Sequence, residues 1–167
     1  MKIYLIGMPG SGKSTLGKQL ASALDLPFFD LDKEIEKREG RAIPEIFAQS
    51  GEEHFRLVES AILREFAGNV DSFVLATGGG APCFFENMEV LNASGITVYL
   101  KVTISTLIHR LRHSKDRPLL NSDADLETRL TALLGSRQPV YERSIITVSD
   151  PDVKKITDAI QRTDVNK

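Results

Sequence analysis

Cysteine is almost absent from the sequence, since Cys83 is the only one among 167 residues. An internal disulfide is therefore impossible, which fits a reducing compartment such as the cytoplasm. An excess of positive charge is missing too: the formal net charge is −2 at pH 7, so composition gives no indication of a nucleic-acid partner. Long apolar runs are also absent, and the N-terminal MKIYLIG is too short for the core of a signal sequence or for a membrane span. We therefore expect a cytoplasmic protein with no nucleic-acid or membrane partner.

What the sequence does contain is an alternation of short apolar runs with longer helical patterns. The length suffices for one domain with a sizeable core. The apolar runs predict strands at 3–6, 27–30, 73–76, 97–100 and 145–148. Helical periodicity predicts helices at 14–24, 53–66, 103–111, 126–141 and 153–160. This alternation predicts an α/β domain with a parallel sheet, in which ligands bind beyond the carboxyl ends of the strands.

The first predicted strand leads into a glycine-rich loop with the spacing G-x-x-x-x-G-K-S, from Gly7 to Gly12, Lys13 and Ser14. Such a loop turns its backbone N–H groups and a helix N-terminus toward a phosphate. Lys13 is expected to reach the β- and γ-phosphates of a nucleotide, and the Ser14 hydroxyl to ligate Mg²⁺. The alternative is a glycine-rich turn that binds nothing. The strand before the loop and the helix after it favour the nucleotide site.

Two carboxylates, Asp30 and Asp32, follow the second predicted strand. In an extended chain, residues two apart point to the same side, so the pair can help to hold hydrated Mg²⁺ and orient a hydroxyl group. The alternative is that Asp32 caps a helix starting near Lys33 and that Asp30 is a solvated turn residue. The third strand lacks the terminal aspartate of many P-loop ATPases, so Asp30 is the best candidate for the metal-side role.

Three consecutive glycines, Gly78, Gly79 and Gly80, follow the third predicted strand. Without side chains, they offer only backbone, either as room or as N–H donors. A flexible turn is one interpretation. The other is a close approach of the backbone to a small ligand.

Three arginines complete the candidate site. Arg56 and Glu59 lie three apart on one helical face, so Glu59 can hold the guanidinium, although a surface ion pair of little value would have the same spacing. Arg117 lies in a charged, turn-prone stretch, 112–125, that we interpret as a lid, and Arg137 ends a helix. Phosphoryl transfer needs cations over the migrating group, and an anionic acceptor needs further arginines. The residues together indicate a kinase of a small anionic metabolite.

The sequence resembles the shikimate kinase family over nearly its whole length, from Gly7 to about Arg143. The matching motifs are GMPGSGKST, FFDLDKEIEKREGRAIPEIFAQSGEEHFRLVES, ATGGGAPCFFEN, RLRHSKDRPLL and RQPVYER. The second motif is the most specific, because general P-loop kinases do not share it.

This resemblance implies a fold and an activity. The fold would be a P-loop three-layer α/β/α domain of the nucleoside-monophosphate-kinase type, with a five-stranded parallel sheet in the order 2-3-1-4-5. Residues 1–167 would form that single domain, with a substrate-binding segment at about 32–62 and the lid at 112–125. The reaction would move the γ-phosphoryl group of ATP to the 3-hydroxyl of shikimate, with Mg²⁺, in aromatic amino-acid biosynthesis.

The resemblance also implies residue roles. Catalysis would rest on Lys13, Asp32 and Arg117, with Asp32 also binding the shikimate hydroxyls. The rest of the shikimate site would comprise Arg56, Arg137, Gly78, Gly79 and Gly80, and Glu59 would steady Arg56. The nucleotide would be bound by Gly10, Ser11, Gly12, Lys13, Ser14, Thr15, Arg110 and Arg117, and the adenine by the loop around Pro151. Ser14 would ligate the metal and Asp30 would support it through water. Arg112 lies near enough to Arg110 to compete for its role.

Two other functions compete with this one. Another small-metabolite kinase, such as a gluconate or nucleoside-monophosphate kinase, would carry different acceptor-site motifs. A nucleotide-binding module without catalysis would not need the whole set of charged residues that is present. We expect a monomer, an inert Cys83, and ordinary helix roles for His54, His109 and His113.

Overall fold

A five-stranded parallel sheet forms the centre of the protein in the part of the chain that the structure describes. The structure is a computed structural model, and it describes residues 1–113 and 123–165. The strands are β1 (Lys2–Ile6), β2 (Phe28–Asp30), β3 (Phe73–Ala76), β4 (Ile96–Lys101) and β5 (Ile146–Ser149). Their order is β2-β3-β1-β4-β5, with every neighbouring pair parallel, which confirms the predicted fold class and strand order. All five predicted strands are present, with ends shifted by one residue at most.

The helices of the described residues follow the strands. They are α1 (Lys13–Ala23), α2 (Leu31–Glu39), α3 (Ile43–Gly68), α4 (Asn87–Ser94), α5 (Ile104–Arg112), α6 (Asp123–Tyr141) and α7 (Val153–Val165), with a short 3₁₀ turn at Ala81–Cys83. None of these helices combines the length with the hydropathy that spanning a membrane requires. The predicted helices did not include α4 or the segment of α3 before residue 53, and α2 appeared only in the alternative interpretation of Asp32.

Helix α3 bends at Gly51, whose backbone is left-handed (φ 83°) and outside the helical region. Glycine adopts that conformation without steric penalty, whereas other residues rarely do. Pro44 lies in the first turn of the same helix, where its missing N–H has no partner to lose. The bend explains why helical periodicity identified the segment after Gly51 and missed the segment before it.

The sheet is buried on both faces, as its continuous apolar strands require. Along β1, Tyr4 and Ile6 belong to the cluster beneath α2 to α6, whereas Ile3 and Leu5 belong to the cluster beneath α1 and α7. This alternation follows from the two-residue period of a strand. The result is the expected three-layer α/β/α arrangement.

Helix α1 lies unusually close to the sheet at Gly17. A Cβ atom at this position would be 2.5 Å from Cε2 of Phe28 and 3.1 Å from Cδ1 of Leu5. Only glycine leaves room for such an approach. The contact fixes the first turn of α1 next to the end of β2.

Candidate active site

The loop between β1 and α1 has the backbone geometry that phosphate binding requires. Gly10 (φ 82°) and Gly12 (φ 94°) are both left-handed, and Gly12 is the N-cap residue of α1. The Nζ atom of Lys13 donates hydrogen bonds to the carbonyl oxygens of Gly7 (2.8 Å) and Met8 (2.9 Å). The lysine charge is thereby held at the rim of the loop, beside the N-terminus of α1, where an anion is favoured.

Ser11 of this loop and Thr15 of the helix that follows differ in their exposure to solvent. Ser11 is fully buried, and its hydroxyl oxygen has no hydrogen-bond partner within the described residues. Thr15 is exposed in the first turn of α1. A buried hydroxyl without a partner is uncommon, and one in a phosphate-binding loop fits a site built to receive polar ligand atoms.

The two residues predicted on the metal side are in direct contact. The Ser14 hydroxyl donates to Oδ2 of Asp30 at 2.6 Å, across the gap between α1 and the end of β2. Hydroxyl and carboxylate oxygens are the ligands that Mg²⁺ prefers. The donor set therefore fits a hydrated Mg²⁺.

Asp30, and not Asp32, caps helix α2. Oδ1 of Asp30 accepts a hydrogen bond from the backbone N–H of Asp32 at 3.1 Å. The alternative interpretation, with Asp32 as the cap and Asp30 as a solvated turn residue, is therefore wrong. Since β2 ends at Asp30 and α2 begins at Leu31, Asp32 lies in the first helical turn. The extended-chain argument for the pair was wrong in its geometry as well.

The first and last glycines of the triple-glycine loop contact charged side chains from α2 and α3. A Cβ atom on Gly78 would lie 2.9 Å from Oε2 of Glu59 and 3.2 Å from Oδ1 of Asp32. A Cβ atom on Gly80 would lie 2.6 Å from Nη2 and 2.7 Å from Nη1 of Arg56. These positions leave no room for a side chain, and a merely flexible turn does not explain that.

The middle glycine connects the same loop to α6 and to the phosphate loop. A Cβ atom on Gly79 would lie 3.0 Å from Nη1 of Arg137 and equally close to Cδ of Pro9. The Gly79 carbonyl oxygen accepts a hydrogen bond from the hydroxyl of Tyr141 at 2.5 Å. The structure therefore brings Asp32, Arg56 and Arg137 to one stretch of backbone that adjoins the phosphate loop.

Arg56 and Glu59 form a buried ion pair. Nη1 of Arg56 donates to Oε1 of Glu59 at 2.7 Å, and the side chains are 10% and 0% exposed. The surface-pair interpretation is therefore wrong. Burial raises the pKa of Glu59, and the hydrogen bond from Arg56 lowers it in part. Oε2 of Glu59, which faces Gly78, has no hydrogen-bond partner within the described residues.

Arg110 lies against the phosphate loop. Its Nη1 donates to the carbonyl oxygen of Gly10 at 3.1 Å and would be 3.4 Å from a Cβ atom on Gly12. This contact favours Arg110 over Arg112 as the arginine nearest to a bound nucleotide. Arg117 and most of the predicted lid lie outside the described residues.

Cys83 lies beside this cluster. Burial raises the pKa of its thiol, while the positive charges of Arg137 and Arg56 lower it by less. These cationic neighbours were not evident from the sequence. Since the net direction is upward, the thiolate is disfavoured, which agrees with the expected inertness of this cysteine.

Sequence reasoning missed two side chains that touch the predicted site residues. Tyr141 contacts Gly79, and the ring of Phe84 lies over the guanidinium of Arg56. Both residues belong to motifs that carried the family resemblance, RQPVYER and ATGGGAPCFFEN. That membership is the only signal that could have singled them out.

Fold and site together define a class of protein. A parallel sheet in the order β2-β3-β1-β4-β5, with a phosphate loop after its central strand, is the P-loop fold of the nucleoside-monophosphate-kinase type. Carboxylates follow β2, and arginines surround the glycine loop after β3.

The comparisons with known proteins specify the family within that class. The family model described as shikimate kinase matches residues 9–164. Shikimate kinase from Parabacteroides distasonis is 42% identical over 170 aligned residues, which cover 96% of this chain and 98% of that protein. The chain belongs to the shikimate kinase family.

Solved structures agree with this assignment. The crystal structure of shikimate kinase from Bacteroides thetaiotaomicron superposes with a TM-score of 0.87 at 38% identity, covering 98% of this chain and 96% of that one. Shikimate kinase from Acinetobacter baumannii, solved in complex with shikimate, gives a TM-score of 0.84 at 37% identity, covering 99% and 93%.

Proposed function

We propose that this protein transfers the γ-phosphoryl group of ATP to the 3-hydroxyl of shikimate, giving shikimate 3-phosphate and ADP in aromatic amino-acid biosynthesis. The observation that carries the proposal is the contact of Gly79 with both Arg137 and Pro9. It joins a cluster of arginines suited to a carboxylate to the loop suited to a terminal phosphate. The relative from Acinetobacter baumannii, which binds shikimate, supports the choice of acid.

In this proposal, the acid is held by its carboxylate and its hydroxyls. Arg56 and Arg137 bind the carboxylate, because the planar guanidinium matches its two oxygens. The backbone of Gly78, Gly79 and Gly80 forms the wall against which the ring lies. Oδ1 of Asp32, which faces Gly78, orients the acceptor hydroxyl and takes its proton.

The nucleotide end of the site is formed by the phosphate loop, from Gly10 to Thr15, with Arg110 on its outer side. Lys13 lies where it can neutralise charge on the terminal phosphates. Ser14 and Asp30 would hold Mg²⁺, the Asp30 carboxylate through water. When bound, the metal neutralises charge on the β- and γ-phosphates. The described residues contain no group of three or more His, Cys, Asp or Glu side chains that could bind a metal.

Two segments of the domain have separate roles in this proposal. We propose residues 32–62 as the substrate-binding segment and 112–125 as the lid that delivers Arg117 to the migrating phosphoryl group. A closing lid would exclude water, which protects ATP from hydrolysis. A cytoplasmic location and a monomeric state belong to the same proposal.

A coupled assay of ADP release tests the function directly. Shikimate, gluconate, AMP and CMP are offered in turn with ATP and Mg²⁺, and we expect turnover with shikimate alone. Turnover with another acceptor and none with shikimate would contradict the assignment of shikimate as the substrate and would identify that other acceptor instead. Nucleotide binding without transfer to any acceptor would favour the non-catalytic module.

A further inference from the structure

We propose that Phe84 is a positioning residue for Arg56, and that its ring sets the affinity of the site for the acid substrate. The inference rests on the proposed function, because it assigns Arg56 to the substrate carboxylate. Phe84 lies outside the charged cluster and would act on Arg56 through a cation–π contact.

The contact itself is close. Cζ of Arg56 lies 4.3 Å from the centre of the Phe84 ring, and 5.1 Å from that of the adjacent Phe55. Both distances fall within the range of about 6 Å over which a guanidinium is attracted to an aromatic ring. The attraction is strongest where water is excluded, and the Arg56 side chain is only 10% exposed.

The other contacts of Arg56 leave the ring a distinct function. Glu59 accepts a hydrogen bond from Nη1 in the plane of the guanidinium, and Oε1 of Glu52 lies 3.5 Å from Nε. Such contacts hold the edge of the group. A ring centred over Cζ restrains its tilt, which decides whether two N–H groups can meet a carboxylate side by side.

The fold holds Phe84 in place from the same helix that carries Arg56. Ser60, one turn after Arg56 in α3, donates to Oδ1 of Asn87 at 2.7 Å. Nδ2 of Asn87 donates to the Ala81 carbonyl oxygen at 2.9 Å, which fixes the 3₁₀ turn leading to Phe84. Ser60 and Asn87 are both buried, so these hydrogen bonds have little competition from water.

A second hydrogen bond holds the segment after the ring. Nη2 of Arg64, two turns after Arg56, donates to the carbonyl oxygen of Phe85 at 2.6 Å. Hydrogen bonds from helix α3 therefore hold the chain on both sides of Phe84. The distance between the ring and the guanidinium is therefore set within one rigid unit before any substrate binds, which reduces what binding must order.

The test replaces the aromatic ring by a somewhat smaller aliphatic side chain. Leucine at this position, Phe84→Leu, keeps an apolar side chain and loses the aromatic face. Tyrosine, Phe84→Tyr, keeps that face and should restore affinity. Phe85→Leu is the matched control, because Phe85 is the next residue, is exposed, and contributes its backbone carbonyl to the contact with Arg64.

We expect Phe84→Leu to raise the KM for shikimate about 3- to 30-fold, the range of a partly to fully desolvated cation–π contact. The KM for ATP should change less than about twofold, and Phe84→Tyr and Phe85→Leu should stay near wild type. Calorimetric titration with shikimate should give the same ratio of dissociation constants, and thermal unfolding confirms that each variant is folded.

A double-mutant cycle separates action through Arg56 from direct contact with the substrate. If Phe84 acts by positioning the guanidinium, the effect of Phe84→Leu on shikimate binding should disappear in an Arg56→Met background, which has no cation for the ring to attract. An unchanged effect in that background would overturn the proposal. So would a wild-type KM in Phe84→Leu, or an equal loss in Phe84→Tyr. Wild-type enzyme that fails to phosphorylate shikimate would instead overturn the proposed function, so the two failures are distinct.

Discussion

The hydroxyl of Tyr141 connects helix α6 to the triple-glycine loop by donating a hydrogen bond to the Gly79 carbonyl oxygen at 2.5 Å. Tyr141 is fully buried, and burial raises the pKa of its phenol, while the positive charge of Arg137 lowers that pKa in part. Arg137, from the same helix, also adjoins Gly79, so the hydroxyl connects the loop to the helix that carries this arginine. The loop and α6 are therefore positioned as a pair.

Removal of that hydroxyl should weaken binding of the acid substrate. In Tyr141→Phe the half-buried Gly79 carbonyl loses its partner, and we expect the KM for shikimate to rise about tenfold with little change for ATP. Steady-state kinetics with each substrate varied measures both values. Tyr99→Phe is the control, because the Tyr99 ring is buried beside Tyr141, 5.2 Å from it. Equal effects of the two variants would mean that packing alone is involved.

A methyl group on Gly80 should displace Arg56. The backbone of Gly80 is in the right-handed helical region (φ −89°, ψ −16°), so alanine is compatible with it. The new Cβ would lie 2.6 Å from Nη2 of Arg56. A shift of about 1 Å in a binding group can reduce kcat/KM about 10²-fold, and we expect a loss of that order for shikimate in Gly80→Ala.

Gly135→Ala provides the comparison for that experiment. Gly135 lies in α6, and a Cβ atom there would meet nothing within 4 Å. Alanine should stabilise the helix by about 0.5–1 kcal/mol and leave kcat/KM unchanged. If Gly80→Ala also leaves kcat/KM for shikimate unchanged, the close approach of Arg56 to Gly80 does not matter for activity.

Asp32→Asn should lower turnover by about 10²-fold, if the carboxylate orients the acceptor hydroxyl and accepts its proton. The amide is nearly the same size and cannot act as the base. The kcat should fall much more than either KM changes. A variant with near-wild-type turnover would exclude Asp32 from the proton transfer.

Asp30→Asn should separate the role of Asp30 in metal binding from its role as the N-cap of helix α2. Asparagine is as good an N-cap as aspartate, so helix α2 should keep its stability. The lost negative charge should raise the Mg²⁺ concentration for half-maximal activity about tenfold. Asp25→Asn, an exposed change at the far end of α1, is the control. A Mg²⁺ titration that matches wild type would place the ion elsewhere.

Glu59 should make stability depend on pH. Its pKa in the folded protein is raised above 4.5 by burial, so folding favours the protonated form. The resulting stabilisation is complete below the unfolded pKa and is lost as pH rises through the folded pKa. Measured from pH about 4 to about 8, the free energy of unfolding of wild type should fall relative to Glu59→Gln.

The control for this series is Glu53→Gln, on the exposed side of the same helix. Its comparison with wild type measures the effect of removing a surface carboxylate. Parallel pH profiles for wild type and Glu59→Gln would contradict the prediction and would mean that the hydrogen bond from Arg56 fully offsets the burial of Glu59.

The fold was predictable because its signals are local. Buried parallel strands are continuous apolar runs, and the spacing from Gly7 to Ser14 is itself sequential. The predictions went wrong where a backbone geometry decided the outcome. The left-handed Gly51 divides α3, and the Asp30 side chain, by accepting from the Asp32 N–H, makes Asp30 the N-cap residue of α2.

The candidate site residues could be named from motifs and spacing, but the contacts between them could not. The charged residues follow strands whose carboxyl ends share one edge, so their meeting could be anticipated. The partners Tyr141 and Gly79 are 62 residues apart, and no periodicity relates them. No periodicity relates Phe84 and Arg56 either, since they lie in different motifs. They are brought together by the hydrogen bond from Ser60 of α3 to Asn87, which follows the 3₁₀ turn.

The close approach of α1 to the sheet at Gly17 links two positions that carry no chemistry. Because the Phe28 ring occupies the space that a side chain at position 17 would need, a larger residue in the helix requires a smaller one opposite it. A larger residue at position 17 alone would push α1 away from β2 and spread Ser14 from Asp30, which lie at the adjoining ends of that helix and strand. A substitution at position 17 should therefore be tolerated only with a compensating one at position 28, so the geometry of the metal side constrains a purely apolar contact.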